Sequence, residues 1–441
     1  PLPNLKLIDL TFSSRLKEIP NLLKATNLEK LKLQGCSSLV ELPFSISNLH
    51  KLEILDVEYC SKLKVIPTNI NLASLERLNM SGCSQLRTFP DISSNIKELN
   101  LGDTMIKDVP PSVGCWSRLD HLNISCGPLT RLMHVPPCIT NLILIGSDIE
   151  RIPEIGFTRL HWLNVDSCRK LKSILGLPSS LKVLDANDCV SLKRVRFSFH
   201  NPMHTLGFNN CLKLDEEAKR GIMQQSVSRY ICLPGKKIPA EFTHKATGRS
   251  ITIPLSPGTL SASTRFKASI LILTFEHGGI RTISCSIRSN GGVKVHSCEL
   301  IYLSLHLRSE HLFIFHGDLF PQGNKCHEVD VTMSEITFEF SHTEIGDYRI
   351  IECGVQIMAE EAEGSSSREL ENFETGGNNN HHTDGDGDGD GDNEAEGFKF
   401  AQDENIKTSK RMLPKTRENS GSSPLAQVPR CKRICIRRYG D

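Results

Sequence analysis

The sequence predicts an α/β solenoid of parallel strands, then an all-β sandwich of the jelly-roll or immunoglobulin-like kind, then a disordered tail. Three observations support this order. A leucine frame returns every 20 to 24 residues through 1–214, short alternating β-rich segments fill 229–358, and 359–441 is polar and strongly charged. Residues 215–228 separate the first two parts and favour a capping helix or linker.

The repeated phrase is L-x-x-L-x-L-x-x-C, as in "LEKLKLQGC" from Leu28 to Cys36. Because alternate residues of a strand point to opposite sides, its leucines face one side only. One repeat cannot bury that side alone, so successive repeats must stack, and this pattern and period are those of the leucine-rich repeat. The copies begin at Leu5, Leu28, Leu52, Leu75, Ile96, Leu119, Ile139, Leu160, Leu181 and Met203.

The ninth frame position always holds a small residue. Cysteine packs as a small hydrophobe with a weak S–H donor, and no C-x-x-C pair with zinc-ligand spacing occurs. We therefore predict that the cysteines of this column are structural and that the chain holds no metal and no cofactor. The column reads Ser13, Cys36, Cys60, Cys83, Thr104, Gly127, Ser147, Cys168, Cys189 and Cys211.

Prolines follow most repeats on the opposite, convex side. A fixed φ and a missing N–H keep proline out of a helix interior, so short 3₁₀ or irregular segments are expected there. These prolines are Pro20, Pro43, Pro67, Pro90, Pro110, Pro136, Pro153 and Pro178.

Between the repeats and the β-rich part, "DEEAKRGIMQQ" from Asp215 to Gln225 has acidic residues first and basic residues later, as a helix dipole favours. We expect this helix to cap the last open edge of the solenoid. Beyond it, segments such as "ASILILTF" and "ITFEFSH" alternate with turns such as "SNGG". They predict eight or nine antiparallel strands.

The net charge of +1 hides a division along the chain, because 1–214 carries +6, 359–400 carries −11 and 401–441 carries +6. The basic excess of the repeats is too mild to predict nucleic-acid binding. No apolar run approaches the ~20 residues of a membrane-spanning helix, and the 16 cysteines lack a disulfide pattern. We expect a cytoplasmic protein, with the nucleus as alternative. Since nothing caps the first repeat, we also expect a fragment of a longer chain.

The tail offers weaker signals. Its Asp-Gly run resembles a calcium loop, but no register from Asp384 onward supplies the required ligands, so a solvated linker is the better interpretation. The His381–His382 pair has no partner cluster. For the basic end "PRCKRICIRRYGD", a solvated tail, a nuclear-import patch and a membrane contact through acylatable Cys431 and Cys435 all stay open.

The repeats "LKLQGCSSLVELPFSISNLHKLEILDVEYCSKLKVIP" resemble those of plant intracellular immune receptors of the TIR–nucleotide-binding–leucine-rich-repeat (TNL) class. "ICLPGKKIPAEFTHKATGRSITIPL" is similar to the start of their post-repeat C-JID domain. The resemblance covers about 1–358. It implies a disease resistance protein whose repeats and C-JID domain bind pathogen effectors, releasing nucleotide-binding and TIR domains to oligomerise for innate immune signalling.

The sequence departs from the full receptor pattern, because it has neither a G-x-x-x-x-G-K-[ST] loop nor a candidate TIR segment. NAD cleavage by a TIR domain would therefore belong to another segment or chain. An enzyme in the β-rich part is not favoured, since its histidines accompany no G-x-S-x-G or H-E-x-x-H pattern. We predict a non-enzymatic recognition region without catalytic residues. The alternative is a substrate adaptor or scaffold of another complex.

The frame also predicts where a partner would bind. Residues between and beside the inward leucines face solvent on the concave side, and aromatic anchors favour binding. We predict a polar, partly acidic groove with Tyr59 and Trp162 as anchors. Its residues are Lys32, Asp56, Glu58, Tyr59, Asn79, Asn100, His121, Asn123, His161, Trp162, Asn164, Asp166 and Asp185.

Overall fold

The computed structural model describes residues 4–358 except 69, 153–156, 198–202, 226, 257–259, 262, 275–278, 290–293, 306, 321–332 and 346–347. The predicted tail 359–441, with its Asp-Gly run, His381–His382 pair and basic end, lies outside the described residues. So does Pro153 of the predicted proline column.

Each copy of the leucine frame forms one short strand, and consecutive strands pair in parallel with equal frame positions side by side. Leu31 lies beside Leu55 and Leu55 beside Leu78, all buried. The predicted common core of stacked leucines is confirmed. Numbered in chain order over the whole molecule, these strands are β1 (Leu7–Asp9), β2 (Lys30–Lys32), β3 (Ile54–Asp56), β4 (Arg77–Asn79), β5 (Glu98–Asn100), β6 (His121–Asn123), β7 (Asn141–Ile143), β9 (Trp162–Asn164), β11 (Val183–Asp185) and β13 (Met203–Gly207).

The cysteine column has a structural role, as predicted. Its cysteines have no exposed surface, and each Sγ donates to the sixth-position carbonyl of the preceding repeat over 2.9 to 3.2 Å, as from Cys60 to Leu33. Burial raises the pKa of Cys60 and Cys83 to about 12, so both remain thiols that can donate. The column comprises Cys36, Cys60, Cys83, Cys168, Cys189 and Cys211.

The eighth frame position turns the chain out of each strand with a positive φ, a feature that the leucine frame did not predict. Left-handed backbone favours glycine and, less strongly, asparagine and aspartate. At Gly82 a Cβ would lie 2.4 Å from Cδ1 of Tyr59, so the tyrosine ring occupies the space that glycine leaves. The ten residues are Phe12, Gly35, Tyr59, Gly82, Asp103, Cys126, Gly146, Ser167, Asp188 and Asn210, with φ between 56° and 76°.

The convex side is mostly irregular, as the prolines predict. Two 3₁₀ helices, Phe44–Asn48 and Pro111–Cys115, begin directly after Pro43 and Pro110. The later repeats add an element that the sequence did not predict, a second parallel sheet in the order β12-β10-β8. Its strands are β8 (Arg151–Ile152), β10 (Ser173–Leu177) and β12 (Arg194–Phe197).

The edge beyond the tenth strand departs from the prediction. Helix α1 (Glu216–Met223) forms, with the Asp215 side chain accepting from the Ala218 N–H, and it packs against β12, the edge strand of the second sheet. Beside β13, however, the next element is β14 (Val227–Pro234), which pairs in parallel and places Ile231 beside Leu206. Backbone groups at a sheet edge need partners, and here a strand supplies them. β14 also begins inside the predicted linker 215–228.

From β14 the sheet continues antiparallel in the order β14-β20-β17-β22-β15, and a second sheet has the order β16-β21-β18-β19. We call these two sheets the β domain. Their shared core contains Phe266, Phe313 and Phe315 from the first sheet and Phe338 and Phe340 from the second. The remaining strands are β15 (His244–Thr247), β16 (Ser250–Pro254), β17 (Arg265–Thr274), β18 (Gly279–Ser289), β19 (Lys294–Leu305), β20 (His311–Asp318), β21 (Glu335–Ile345) and β22 (Tyr348–Met358).

We predict that Gly82→Ala destabilises the repeats by roughly 1–3 kcal/mol, because it adds both a positive-φ penalty and a clash with Tyr59. Chemical denaturation of the full chain measures the change. Gly221→Ala is the control, since Gly221 lies in α1 with no atom within 4 Å of the added Cβ. An unchanged unfolding midpoint for Gly82→Ala would contradict the steric explanation.

Leu55→Ala should destabilise the chain by about 2–5 kcal/mol, because Leu55 is fully buried between equivalent leucines. Val65→Ala in the same repeat is the control, since Val65 is 50% exposed. Thermal unfolding of both variants compares them. Equal midpoints would show that the leucine column does not carry the stability of the repeats.

Candidate functional site

The predicted binding residues lie along one side of the parallel sheet, here called the concave face. They are half-buried or exposed there except Asn164, which is buried, contrary to the prediction. They extend from Lys32 on β2 to Asp185 on β11, seven strand spacings apart. At about 4.8 Å per spacing this is roughly 34 Å. The residues therefore form an extended wall rather than one pocket, a shape that suits a protein partner better than a small molecule.

Asparagine and aspartate at the fifth frame position have a structural task on this face. Their Oδ1 atoms accept from the backbone N–H two residues later, as in Asn79 to Ser81 at 3.1 Å and Asn100 to Gly102 at 3.2 Å. Such Asx turns close the strand before the left-handed residue. The leucine frame predicted several of them only as binding residues. The same bond is made by Asp9, Asp56 and Asn164.

The C-terminal end of the concave face combines carboxylates with aromatic rings. Trp162 Nε1 donates to Asp185 Oδ2 at 2.9 Å, and Asp166 Oδ1 accepts from the Asn187 N–H at 2.7 Å. Tyr230 on β14 continues the frame column of Trp162, because Trp162, Val183, Thr205 and Tyr230 lie side by side in register. We call Trp162, Asp166, Asp185 and Tyr230 the acidic–aromatic end.

Burial dominates the electrostatics of this end. It raises the pKa of Asp166 to about 7, with repulsion from Asp185 as the next cause and the Asn187 bonds opposing both. Burial also raises the pKa of Asp185, against the bond from Trp162. Neither aspartate forms an ion pair with a described basic side chain. A cationic side chain of a partner would supply the missing countercharge.

The N-terminal end is built differently. Gln34 Nε2 donates to Glu58 Oε2 at 2.6 Å, and burial followed by Asp56 raises the pKa of Glu58. The predicted anchor Tyr59 is 49% exposed at the rim of the face, where its ring lies beside Gly82. Phe12, two repeats earlier in the same column, is 73% exposed and was missed by the sequence analysis.

The middle of the face has fewer charges. His121 Nδ1 lies 3.1 Å from Asn141 Nδ2 and 3.3 Å from Asp120 Oδ2. Ser125 Oγ donates to Asn123. Beyond them, the half-buried Ile143 and Ile145 interrupt the polar surface. The structure thus brings the predicted residues onto one face but groups closely only those of the acidic–aromatic end. Among the others, Lys32 is half-buried on β2, and His161 is exposed just before β9.

A cleft of about 720 Å³ lies where α1 meets the loop after β14. Gly235 has no room for a Cβ, which would lie 2.4 Å from Leu312 Cδ1, so this glycine shapes the "LPGKKIP" loop. The cleft wall mixes Leu212 and Met223 with Lys236 and Lys237. Within the described part of the chain there is no group of three or more side chains suited to a metal ion, and none of its helices could cross a membrane.

Comparison with known families separates the chain into two matched regions. Residues 1–195 match the model described as "Disease resistance protein RPS4B-like, leucine-rich repeats", and residues 233–374 match the C-JID domain. Among solved structures, a leucine-rich-repeat protein of Leptospira interrogans has a TM-score of 0.40 and 20% identity, covering 52% of this chain and 61% of its own.

Among curated proteins, Disease resistance protein RML1B of Arabidopsis thaliana is 42% identical over 374 residues, covering 82% of this chain and 35% of the relative. Disease resistance protein RML1A of the same plant is 42% identical, with 83% and 37% covered. The chain thus spans about a third of the length of these relatives. With its repeats and C-JID domain, the chain belongs to the TIR–nucleotide-binding–leucine-rich-repeat class of plant disease resistance proteins.

Proposed function

We propose that this region binds a pathogen effector protein on its concave face and so controls activation of the receptor to which it belongs. The observation that carries the proposal is the acidic–aromatic end, where Trp162 and Tyr230 flank two aspartates that no described basic side chain neutralises. The chain itself performs recognition and no catalysis. Its nucleotide-binding and TIR partners, an oligomer formed on activation, and a cytoplasmic or nuclear site of action belong to the same proposal.

The size of the surface supports a protein partner. A stable interface buries about 800 Å² on each partner, and a wall roughly 34 Å long and three to four side chains wide can supply this area. β14 extends the wall into the β domain without interrupting the sheet, since β13 and β14 pair directly. The repeats and the β domain therefore share one continuous sheet, which supports a binding surface that spans both.

The fifth and third frame positions have different tasks on this face, and this difference supports Trp162 as a main contact. Asn79 and Asn100 hold their own backbone through Oδ1, which leaves them little freedom to reorganise around a partner. Trp162 is half-buried and held by Asp185, so it presents a rigid aromatic surface at low entropic cost. Hot spots concentrate on such anchors. We therefore place the energetic centre of binding at Trp162, with Tyr59 at the opposite end as a secondary contact.

The first test is binding of the full 441-residue chain to a panel of recombinant effector proteins secreted by plant pathogens. For any effector captured, Trp162→Ala should weaken affinity at least about 10-fold, because it removes a central aromatic anchor. Phe44→Ala is the control, since Phe44 is 67% exposed but lies on the convex side. Biolayer interferometry and thermal unfolding of both variants separate lost binding from lost folding.

Undiminished affinity of a folded Trp162→Ala variant, or an equal loss for Phe44→Ala, would remove the acidic–aromatic end from the binding site. Capture of plant ubiquitin-ligase components instead of any effector would favour the adaptor alternative.

Binding of a cationic partner should strengthen between pH 6 and pH 8. The pKa of Asp166 is about 7, so its carboxylate gains charge across this interval and attracts the partner more strongly. Asp166→Asn should flatten the pH profile, whereas Asp103→Asn, at an exposed turn outside this end, should preserve it. A steep profile that survives in Asp166→Asn would assign the titration to another group.

A further inference from the structure

The residues at the eighth frame position, which have a positive φ, form the left-handed column. The backbone N–H of each needs a hydrogen-bond acceptor, which the following repeat supplies. The N–H of the eighth-position residue donates to the seventh-position carbonyl of the following repeat, as from Ser167 to Asn187 and from Asp188 to Asn209, both at 2.7 Å. A buried N–H without an acceptor is costly. The last repeat has no successor, so Asn210 needs an acceptor from elsewhere.

That acceptor is a histidine of the β domain. The Asn210 N–H donates to Nε2 of His311 at 2.9 Å, across 101 residues of sequence. His311 is the first residue of β20 and has no exposed surface. Its Nδ1 lies 2.8 Å from the carbonyl oxygen of Ser309, which can only accept. These two partners assign the proton to Nδ1 and leave the lone pair on Nε2.

Asn210 is also bound through its side chain. Its Oδ1 accepts from the Arg308 N–H at 2.8 Å, and its Nδ2 donates to Asp188 Oδ1 at 3.0 Å. The Arg308 guanidinium lies 3.7 Å from the same Asp188 oxygen. One asparagine with a φ of 59° thus joins the ninth repeat, the tenth repeat and the β domain.

The charge on His311 decides whether this arrangement holds. A protonated imidazole would direct an Nε2–H against the Asn210 N–H, replacing an attraction with a repulsion. Burial lowers the pKa of His311 from its ordinary 6.5, while the Ser309 carbonyl and the carboxylates of Asp188 and Glu310 act in the opposite direction. The Arg308 guanidinium is the other described charge at this contact. The hydrogen bond from Asn210 to His311 therefore forms only with the neutral imidazole.

We propose that neutral His311 terminates the amide ladder of the solenoid and acts as a pH-sensitive lock between the last repeat and the β domain. In this role the imidazole nitrogen replaces the carbonyl of an absent eleventh turn. The proposal does not depend on effector binding, since it concerns only how the two parts of the chain are held together.

The direction of the pH effect follows from proton linkage. The locked state binds fewer protons at His311 than the unlocked state, so locking is complete above pH 6.5 and weakens as the pH falls below it. Each pH unit below 6.5 lowers the locking equilibrium by up to about 10-fold until the ring also protonates in the locked state. Between pH 7.5 and 5.5 the loss is therefore at most about 10-fold.

The test is hydrogen–deuterium exchange of the full chain, resolved to single amides and corrected for the intrinsic effect of pH on exchange. Protection of the Asn210 and Arg308 amides should fall from pH 7.5 to 5.5, by up to about 10-fold. The Gly82 amide, which donates to the Gly102 carbonyl in the equivalent position at 2.8 Å, is the internal control and should not change. Constant protection of Asn210 across this range would overturn the lock.

Variants separate titration from packing. In His311→Gln the amide oxygen can accept the same N–H but does not titrate, so protection should persist and its pH dependence should disappear. His311→Ala should lose protection at both pH values, and His204→Gln, at an exposed position, should behave as the unchanged chain. A His311→Gln variant that retains the full pH response would overturn the proposal, even if His311→Ala fails to fold.

Discussion

The structure depends on one constraint, that every repeat leaves backbone N–H groups and an apolar side that only the next repeat can satisfy. The strands are mostly three residues long, too short to be stable alone. Their cohesion comes from leucine stacking and from two ladders that cross the repeat boundary. In one the cysteine Sγ donates to the preceding repeat, and in the other the left-handed N–H donates to the following repeat. Stability is therefore shared along the chain, as in other one-dimensional arrays.

This constraint also limits the concave face as a binding surface. The chain must turn sharply at the end of each short strand. This turn uses an Asx side chain and a left-handed residue, and both lie on the solvent-facing side. The fifth-position column is largely committed to its own backbone for this reason. Positions without that task, such as Trp162 at the third position, are freer to vary with a partner. The proposed recognition is then confined to the residues that the turn does not need.

Much of the repeat architecture was predictable because it is local and periodic. Leu31, Leu55 and Leu78 stack as expected, and Cys60 lies inside its turn as a buried donor. The frequent asparagine and aspartate at the fifth position were a missed signal, since a residue type that recurs in most repeats serves the repeat more than a particular partner. The left-handed column was similarly visible in Gly35, Gly82 and Gly146. The pairing of Tyr230 with the concave sheet carried no such signal, because β14 lacks the leucine frame.

By itself, the sequence determined the repeat length, the inward leucines, the buried cysteines and the β-rich second part, because each follows from spacing within about two dozen residues. Only the tertiary structure decided how the solenoid ends. At the sheet edge β14, not α1, pairs with β13, and His311 accepts from Asn210 across 101 residues of sequence. Both contacts join the repeats to segments outside the leucine repeat pattern. The same holds for the acidic–aromatic end, where burial by neighbouring repeats shifts the pKa of Asp166. Local patterns specify what a segment needs, and the folded chain specifies which distant group supplies it.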